Sequence, residues 1–345
     1  MYYVGVDAPT REYLQKKLSF LIVLEVLKVM NFIIRFLKKM KPLLLKSLLA
    51  SILCTSISQC ANIIFDLGGV LIGNNKSYFM RKVGFYSFFM YLIRFNNPFS
   101  LRSRLFKTLD TIPSLTKNTF GSTDDNGQLL PDIMCDWIAG NKKAQEIRND
   151  IIAYMTKHPE IFYNYSEQSV ISQILEIMFT PELFVKSTKI LRDGLRFVKR
   201  CQNRGHKVFV LSNWDNESFP FLKKKHKKLF SLFNDENIII SGDIGLLKPN
   251  PDIYAYIIGK YNLIPSECLF FDDQAVNVEA AKKLGIHGVV CNNLSYRKMR
   301  RELKAFEKEV KASKKKLLAP KAIAITSTHD ANNANNINCK TQTLI

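Results

Sequence analysis

Four short apolar runs recur along the middle of the chain, each rich in β-branched or aromatic residues. They are Asn62 to Phe65, Lys207 to Leu211, Ile238 to Ile240 and Leu269 to Phe271. Runs that are continuously apolar, rather than alternating, suit strands covered on both faces, as in a parallel sheet. Gly288 to Val290 adds a fifth run. Between them lie helical patterns: Arg192 to Arg204, with Gly205 placed to end it, and a stretch opening at Val276 to Ala281 that Gly285 ends. This strand–helix alternation predicts an α/β fold, a Rossmann-like parallel sheet with helices on both faces.

About 115 residues interrupt the alternation after the first strand. They read as helices at Ala144 to Lys157 and at Ser169 to Phe179, ahead of Pro181. Tyr78 to Phe99, dense in Phe, Tyr, Met and Arg, is expected to pack inside this insert. Gly121 to Gly127, with Asp124 and Asp125, reads as a loop, and His158 before Pro159 as structural.

The chain ends differ from this body. Phe20 to Phe36 is apolar but carries Glu25, Lys28 and Arg35, which argues against a simple membrane span. Lys38, Lys39 and Lys41 then precede an apolar run, Leu48 to Ile57, followed by Ser58, Gln59, Cys60 and Ala61. That order is the order of a secretory signal if translation starts at Met30 or Met40. The other reading of residues 1–61 is an amphipathic helix that packs on the body or contacts a membrane. Cleavage near Ala61 implies a periplasmic or extracellular protein; retention implies a cytoplasmic or membrane-associated one. Residues 297–318 read as an exposed, amphipathic basic helix and 319–345 as a disordered tail.

The chain has 345 residues, 47% of them hydrophobic, which suits about two domains with real cores. Fifty Lys and Arg against thirty Asp and Glu give a formal charge of +20. Such an excess permits anionic partners without demonstrating any. The run Lys223 to Lys228, interrupted by His226, is read as a solvated helix face. With no interleaved aromatics, nucleic acid is not an expected partner. The seven cysteines form no C-x-x-C pair, so zinc ribbons, thioredoxin chemistry and a disulfide framework drop out.

Candidate chemistry gathers where the strands end. Asp66 closes the first strand and precedes Leu67, Gly68 and Gly69; paired glycines let a backbone turn sharply and approach a ligand. In open α/β sheets, ligands bind beyond the carboxyl ends of the strands. Ser212 and Asn213 end the second strand, where a hydroxyl can donate to a phosphate oxygen. Lys248 sits in a loop before Pro249, which restricts its backbone. Asp272 and Asp273 end the fourth strand. Adjacent carboxylates repel, and an oxygen-ligated divalent cation relieves the repulsion; Mg2+ suits such a site.

The series Asp66-x-Gly-Gly-Val, Leu211-Ser212-Asn213, Lys248-Pro249 and Asp272-Asp273-x-x-x-Asn277, separated by 146, 36 and 24 residues, resembles the four motifs of the haloacid dehalogenase-like (HAD) hydrolase superfamily. The resemblance covers about residues 61–76 and 190–295. It implies a core domain at 62–76 and 190–296 and an inserted α-helical cap at 77–189. It implies that Asp66 attacks phosphorus to form an aspartyl-phosphate, with Ser212 and Lys248 as its catalytic partners. Gly69, Ser212, Asn213 and Lys248 would bind a small phosphorylated substrate. Asp66, the Gly68 carbonyl, Asp272 and Asp273 would hold Mg2+. One departure stands out: many phosphatases of this type carry a second Asp two places after the nucleophile as general acid and base, and Gly68 has no side chain. Asp215 or a cap residue is the expected substitute; a catalytically weak or inactive binding protein is the alternative. Dehalogenases of the superfamily also lack that second Asp, but they work without Mg2+ and need no Asp272–Asp273 pair.

Overall fold

The computed structural model describes residues 61–95, 98–124, 127–291 and 295–318. All belong to one compact unit that begins at Ala61. The leader and the C-terminal tail read from the sequence lie outside the described residues. No helix among the described residues is long and apolar enough to cross a membrane.

In chain order the elements are β1 (Asn62–Phe65), β2 (Ile72–Asn74), α1 (Lys76–Val83), α2 (Phe85–Phe95), α3 (Pro98–Asp110), α4 (Asp132–Ile138), α5 (Ala144–Lys157), α6 (Tyr165–Met178), α7 (Pro181–Lys186), β3 (Thr188–Ile190), α8 (Arg192–Asn203), β4 (Lys207–Ser212), α9 (Phe219–Lys225), α10 (Lys227–Phe230), β5 (Ile238–Ile240), α11 (Ser241–Ile244), α12 (Pro251–Tyr261), β6 (Cys268–Asp272), α13 (Ala275–Lys283), β7 (His287–Val290) and α14 (Tyr296–Leu318). Five strands form one parallel sheet in the order β5-β4-β1-β6-β7.

The apolar runs are continuous because both faces of this sheet are covered. Ile63, Phe65, Val208, Val210, Leu269 and Phe271 point to one face, against Phe197, Val198 and Cys201 of α8. Ile64, Phe209, Leu211 and Phe270 point to the other, against Ile253, Tyr254 and Ile257 of α12. The strand period of two thus divides each short apolar run between two cores.

The helical insert leaves and rejoins the core through a two-stranded antiparallel ribbon, β2 with β3, in the register Ile72–Ile190. Its own core gathers Tyr91, Leu105, Leu109, Ile133, Trp137, Ile147, Ile151, Ile171 and Phe179, among others. Three features differ from the sequence reading. The aromatic-rich stretch is only half inside: Val83 and Tyr91 are buried, whereas Tyr86, Phe89, Met90 and Ile93 are exposed along one face of α2. The C-terminal basic helix is not an exposed appendage, because Met299, Leu303, Phe306 and Val310 of α14 are buried in the main core. The lysine run is not a uniformly solvated face. Lys225 Nζ donates to the carbonyls of Val185, Lys186 and Thr188, and His226 Nε2 lies 2.8 Å from Thr188 Oγ1. The middle of that run pins the returning strand of the stem.

Cys135, Cys201, Cys268 and Cys291 are buried free thiols. Burial pushes Cys135, Cys201 and Cys268 up to about 12, so they carry little thiolate at neutral pH.

Candidate active site

The parallel register brings the tips of β1, β4 and β6 side by side, since Phe65 pairs with both Val210 and Phe271. The next residues out are Asp66, Leu211-Ser212 and Asp272. Lys248 enters from the loop after β5. Its Nζ lies 2.8 Å from Asp66 Oδ1 and 2.6 Å from Asp272 Oδ2. The three side chains are shut away from water, with Asp66, Lys248 and Asp272 at 6%, 1% and 0% exposure.

Burial and charge pull against each other here. Loss of hydration is the largest influence on Asp66 and raises its pKa; the Lys248 ammonium opposes this, Asp272 adds to it, and the Ser212 hydroxyl bonded to the carboxylate lowers it again. The balance leaves Asp66 pushed up to about 6. For Lys248, burial disfavours the ammonium, but Asp272 and Asp66 together outweigh it and its pKa rises.

Each member of the cluster is held by neighbours. Asn213 Oδ1 accepts from the Lys248 backbone N–H at 2.8 Å, and its Nδ2 donates to the Lys248 carbonyl at 2.9 Å. The amide expected to bind substrate is therefore doubly bonded to the lysine's backbone and fixes where Lys248 begins. Asp272 Oδ1 accepts from the Gln274 N–H at 2.8 Å and from Asn277 Nδ2 at 3.0 Å. Tyr254, buried beneath, donates its hydroxyl to the Asn277 carbonyl.

Gly69 adopts φ +64°, and a Cβ there would stand 2.1 Å from Asp273 Oδ2. Its lack of a side chain is what lets Asp273 lie over the turn. Gly68 is different: its φ is not in the left-handed region, and a Cβ there would meet Asp66 Oδ2 at 3.6 Å, an ordinary contact. A side chain at position 68 would reach the carboxylate directly, and none is present. Asp215 does not join the cluster. Its Oδ1 accepts from the N–H groups of Glu217 and Ser218 and its Oδ2 from the Ser218 hydroxyl, which in turn accepts from Trp214 Nε1. Burial raises the Asp215 pKa, opposed by its hydrogen bonds with Ser218. Its hydrogen bonds organise the turn after β4.

Asp66, Asp272 and Asp273 each offer an oxygen, all within 4.8 Å of one another. Three carboxylates against one lysine leave two negative charges, the complement of a divalent cation. Asn277 Oδ1 is a buried acceptor without a hydrogen-bond partner beside Asp272. The donor set is oxygen throughout, which fits Mg2+ and not a thiolate-seeking metal. The Gly68 carbonyl accepts from the Val70 N–H at 2.7 Å and retains its second lone pair.

Two residues of the helical insert absent from the sequence reading touch this rim. Ser122 Oγ donates to the Lys248 carbonyl at 2.8 Å, and Thr123 Oγ1 to Gln274 Oε1 at 3.0 Å. They lie in the Gly121–Gly127 loop, whose polar residues were the only sequence signal. Elsewhere the helical insert bonds to the core through Ala144 N–H to Glu217 Oε2 and Ser241 Oγ to the Ile138 carbonyl.

Acid, hydroxyl and acid at neighbouring strand tips, with a lysine reaching in from a loop, define a hydrolase-like site on an α/β core. The family model described as haloacid dehalogenase-like hydrolase matches residues 61–285, and the chain belongs to that family. Among curated proteins, the chain is 28% identical over 110 residues to a phosphorylated carbohydrates phosphatase of Thermotoga maritima, covering 31% of this chain and 48% of that one. It is 38% identical over 50 residues to a D-ribitol-5-phosphate phosphatase of Bacteroides thetaiotaomicron, covering 14% and 24%. It is 27% identical over 109 residues to a sesquiterpene phosphatase of Aspergillus oryzae, covering 31% and 54%. The chain thus spans a quarter to about half the length of these relatives. A HAD family enzyme of Bacteroides thetaiotaomicron, solved with magnesium and inorganic phosphate, aligns with 67% of this chain and 93% of its own at 18% identity and a TM-score of 0.42.

Proposed function

We propose that the protein is a Mg2+-dependent phosphate monoester hydrolase acting through an aspartyl-phosphate at Asp66 on a small phosphorylated metabolite. The observation that carries this is the closed arrangement in which Lys248 spans Asp66 and Asp272, with Asp273 completing a three-carboxylate group. Asp66 presents one oxygen to Lys248 and keeps Oδ2 for attack on phosphorus. The bond from phosphorus to the ester oxygen breaks, and the leaving oxygen takes a proton. Water then attacks phosphorus and returns the carboxylate. Lys248 and the Ser212 hydroxyl offset charge that spreads over the phosphoryl oxygens; such preorganised charge is the main source of rate in phosphoryl transfer. Asp66, Asp272, Asp273 and the Gly68 carbonyl would hold Mg2+, which supplies further neutralisation of phosphate charge. The phosphatase relatives support a phosphorylated substrate.

Gly68 favours a second reading, a weak or silent member that binds phosphorylated ligands without turning them over. With Asp215 committed to Ser218, no side chain stands ready to protonate the leaving oxygen from that position. A panel of small phosphoesters with Mg2+ separates the readings. Phosphate release that disappears on chelation and in Asp66→Asn supports the enzyme. Ligand-dependent stabilisation without release supports the binder.

A further inference from the structure

A second charged feature lies away from the strand tips. Arg200 of α8, Arg204 at its C-cap, and Arg297, Arg300, Arg301 and Lys304 of α14 line one groove of about 630 Å³, with Leu303 on its floor. Positions 297, 300, 301 and 304 follow the i, i+3, i+4, i+7 spacing, so they form one helical face; 200 lies in the last turn of the facing helix and 204 is its C-cap. The groove contains one carboxylate, Glu307, already bonded to Arg204 and to His206 Nε2. Among the described residues, Arg200, Arg297, Arg300, Arg301 and Lys304 have no ion-pair partner.

This arrangement is selective in chemistry as well as in sign. The chain has 36 Lys and 14 Arg, yet five of the six groove cations are Arg. Beyond Lys304 the basic residues of α14 are all Lys. Guanidinium groups bond phosphate oxygens two at a time and keep their charge at any physiological pH. The ridge from Arg297 to Lys304 runs about 10 Å along the helix, longer than one phosphate can engage. No aromatic ring lines the groove to stack a base, and Met299, Leu303, Phe306 and Val310 of α14 are turned into the core and not towards a bilayer.

We propose that this groove binds a compact anion carrying two or more linked phosphates, at a site separate from the Asp66 cluster. The site needs neither Mg2+ nor the nucleophile, so it stands whether or not the hydrolase reading does. The test uses the full chain with Asp66→Asn, in chelator, titrated with inorganic tripolyphosphate, orthophosphate and citrate. Tripolyphosphate is expected to bind with one-to-one stoichiometry, at least about tenfold tighter than orthophosphate or citrate, as one extra charge-assisted contact requires. Its affinity should weaken with salt. Arg300→Gln/Arg301→Gln should weaken it at least tenfold, on the same scale, while the thermal midpoint without ligand holds or rises. Equal affinity for tripolyphosphate and orthophosphate, equal affinity for citrate, or an unchanged double variant would each overturn the proposal. An oligoribonucleotide that outbinds tripolyphosphate through the same two arginines would overturn the compact-ligand assignment in favour of a nucleic-acid track.

Discussion

Two groups of charges on this chain live under opposite conditions. At the sheet rim, Lys248 is enclosed between Asp66 and Asp272, and each charge is tolerated because the others are there. Along α8 and α14, cations of one sign face water around a groove, and solvent supplies most of the relief. Dry charges are interdependent, so losing one should change stability and chemistry together. Wet charges are nearly independent, so losing one should change affinity and little else.

The sharpest way to separate the two groups is to remove the proposed nucleophile. Asp66→Asn should lower phosphoester turnover on the order of 10³-fold or more, measured as phosphate release, with the fold retained. Gly68→Asp should raise turnover by about 10²-fold or more if proton delivery to the leaving oxygen is what the native chain lacks. The same assay checks it, and an unchanged rate would place the limitation elsewhere. Lys248→Met leaves two buried carboxylates without their counter-charge. It should cost about 3–5 kcal/mol in chemical denaturation. No substitution of an unpaired groove cation should approach that figure.

His226 tests whether the stem shares the interdependence of the rim. Burial, with a smaller effect of Lys225, lowers its pKa from 6.5 to about 4. The unfolded chain therefore takes up a proton near pH 6.5 that the folded chain refuses until about pH 4. The stability this group contributes is full above the unfolded value and drains as pH falls through that window. Thermal midpoints across it should fall with pH, and His226→Gln should flatten part of the slope. His206, also lowered by burial, adds a slope of the same sign. The smallest effect belongs to the groove. Arg301→Gln removes one i, i+4 repulsion, with Arg297, and should stabilise by about 0.2–0.5 kcal/mol at low salt.

The sheet was legible because strands covered on both faces read as unbroken apolar runs, and a run such as Asn62 to Phe65 has no competing interpretation once helices flank it. The rim was legible because strand tips in a parallel sheet are forced together, so Asp66, Ser212 and Asp272 had to meet. What escaped depends on contacts that local pattern does not encode. Asn213 looked like a ligand-facing amide, but the nearest unsatisfied backbone belonged to Lys248. Asp215 looked like a spare acid until its own turn supplied Ser218. The apolar face of α14, with Met299, Leu303, Phe306 and Val310, was present in the sequence. The density of Lys and Arg around it hid the fact that a sheet face stood waiting for it. Ser122 and Thr123 reach the rim from within a helical insert whose packing no short-range signal announces.

The account stands on Asp66 becoming phosphorylated during turnover. The direct measurement is a borohydride quench of the protein with a turned-over phosphoester and Mg2+, followed by peptide mapping; hydride reduces an acyl-phosphate to an alcohol and leaves a free carboxylate alone. Homoserine at position 66, dependent on substrate, is the result predicted. Phosphate release with position 66 still aspartate, or with the reduced residue elsewhere, would contradict it.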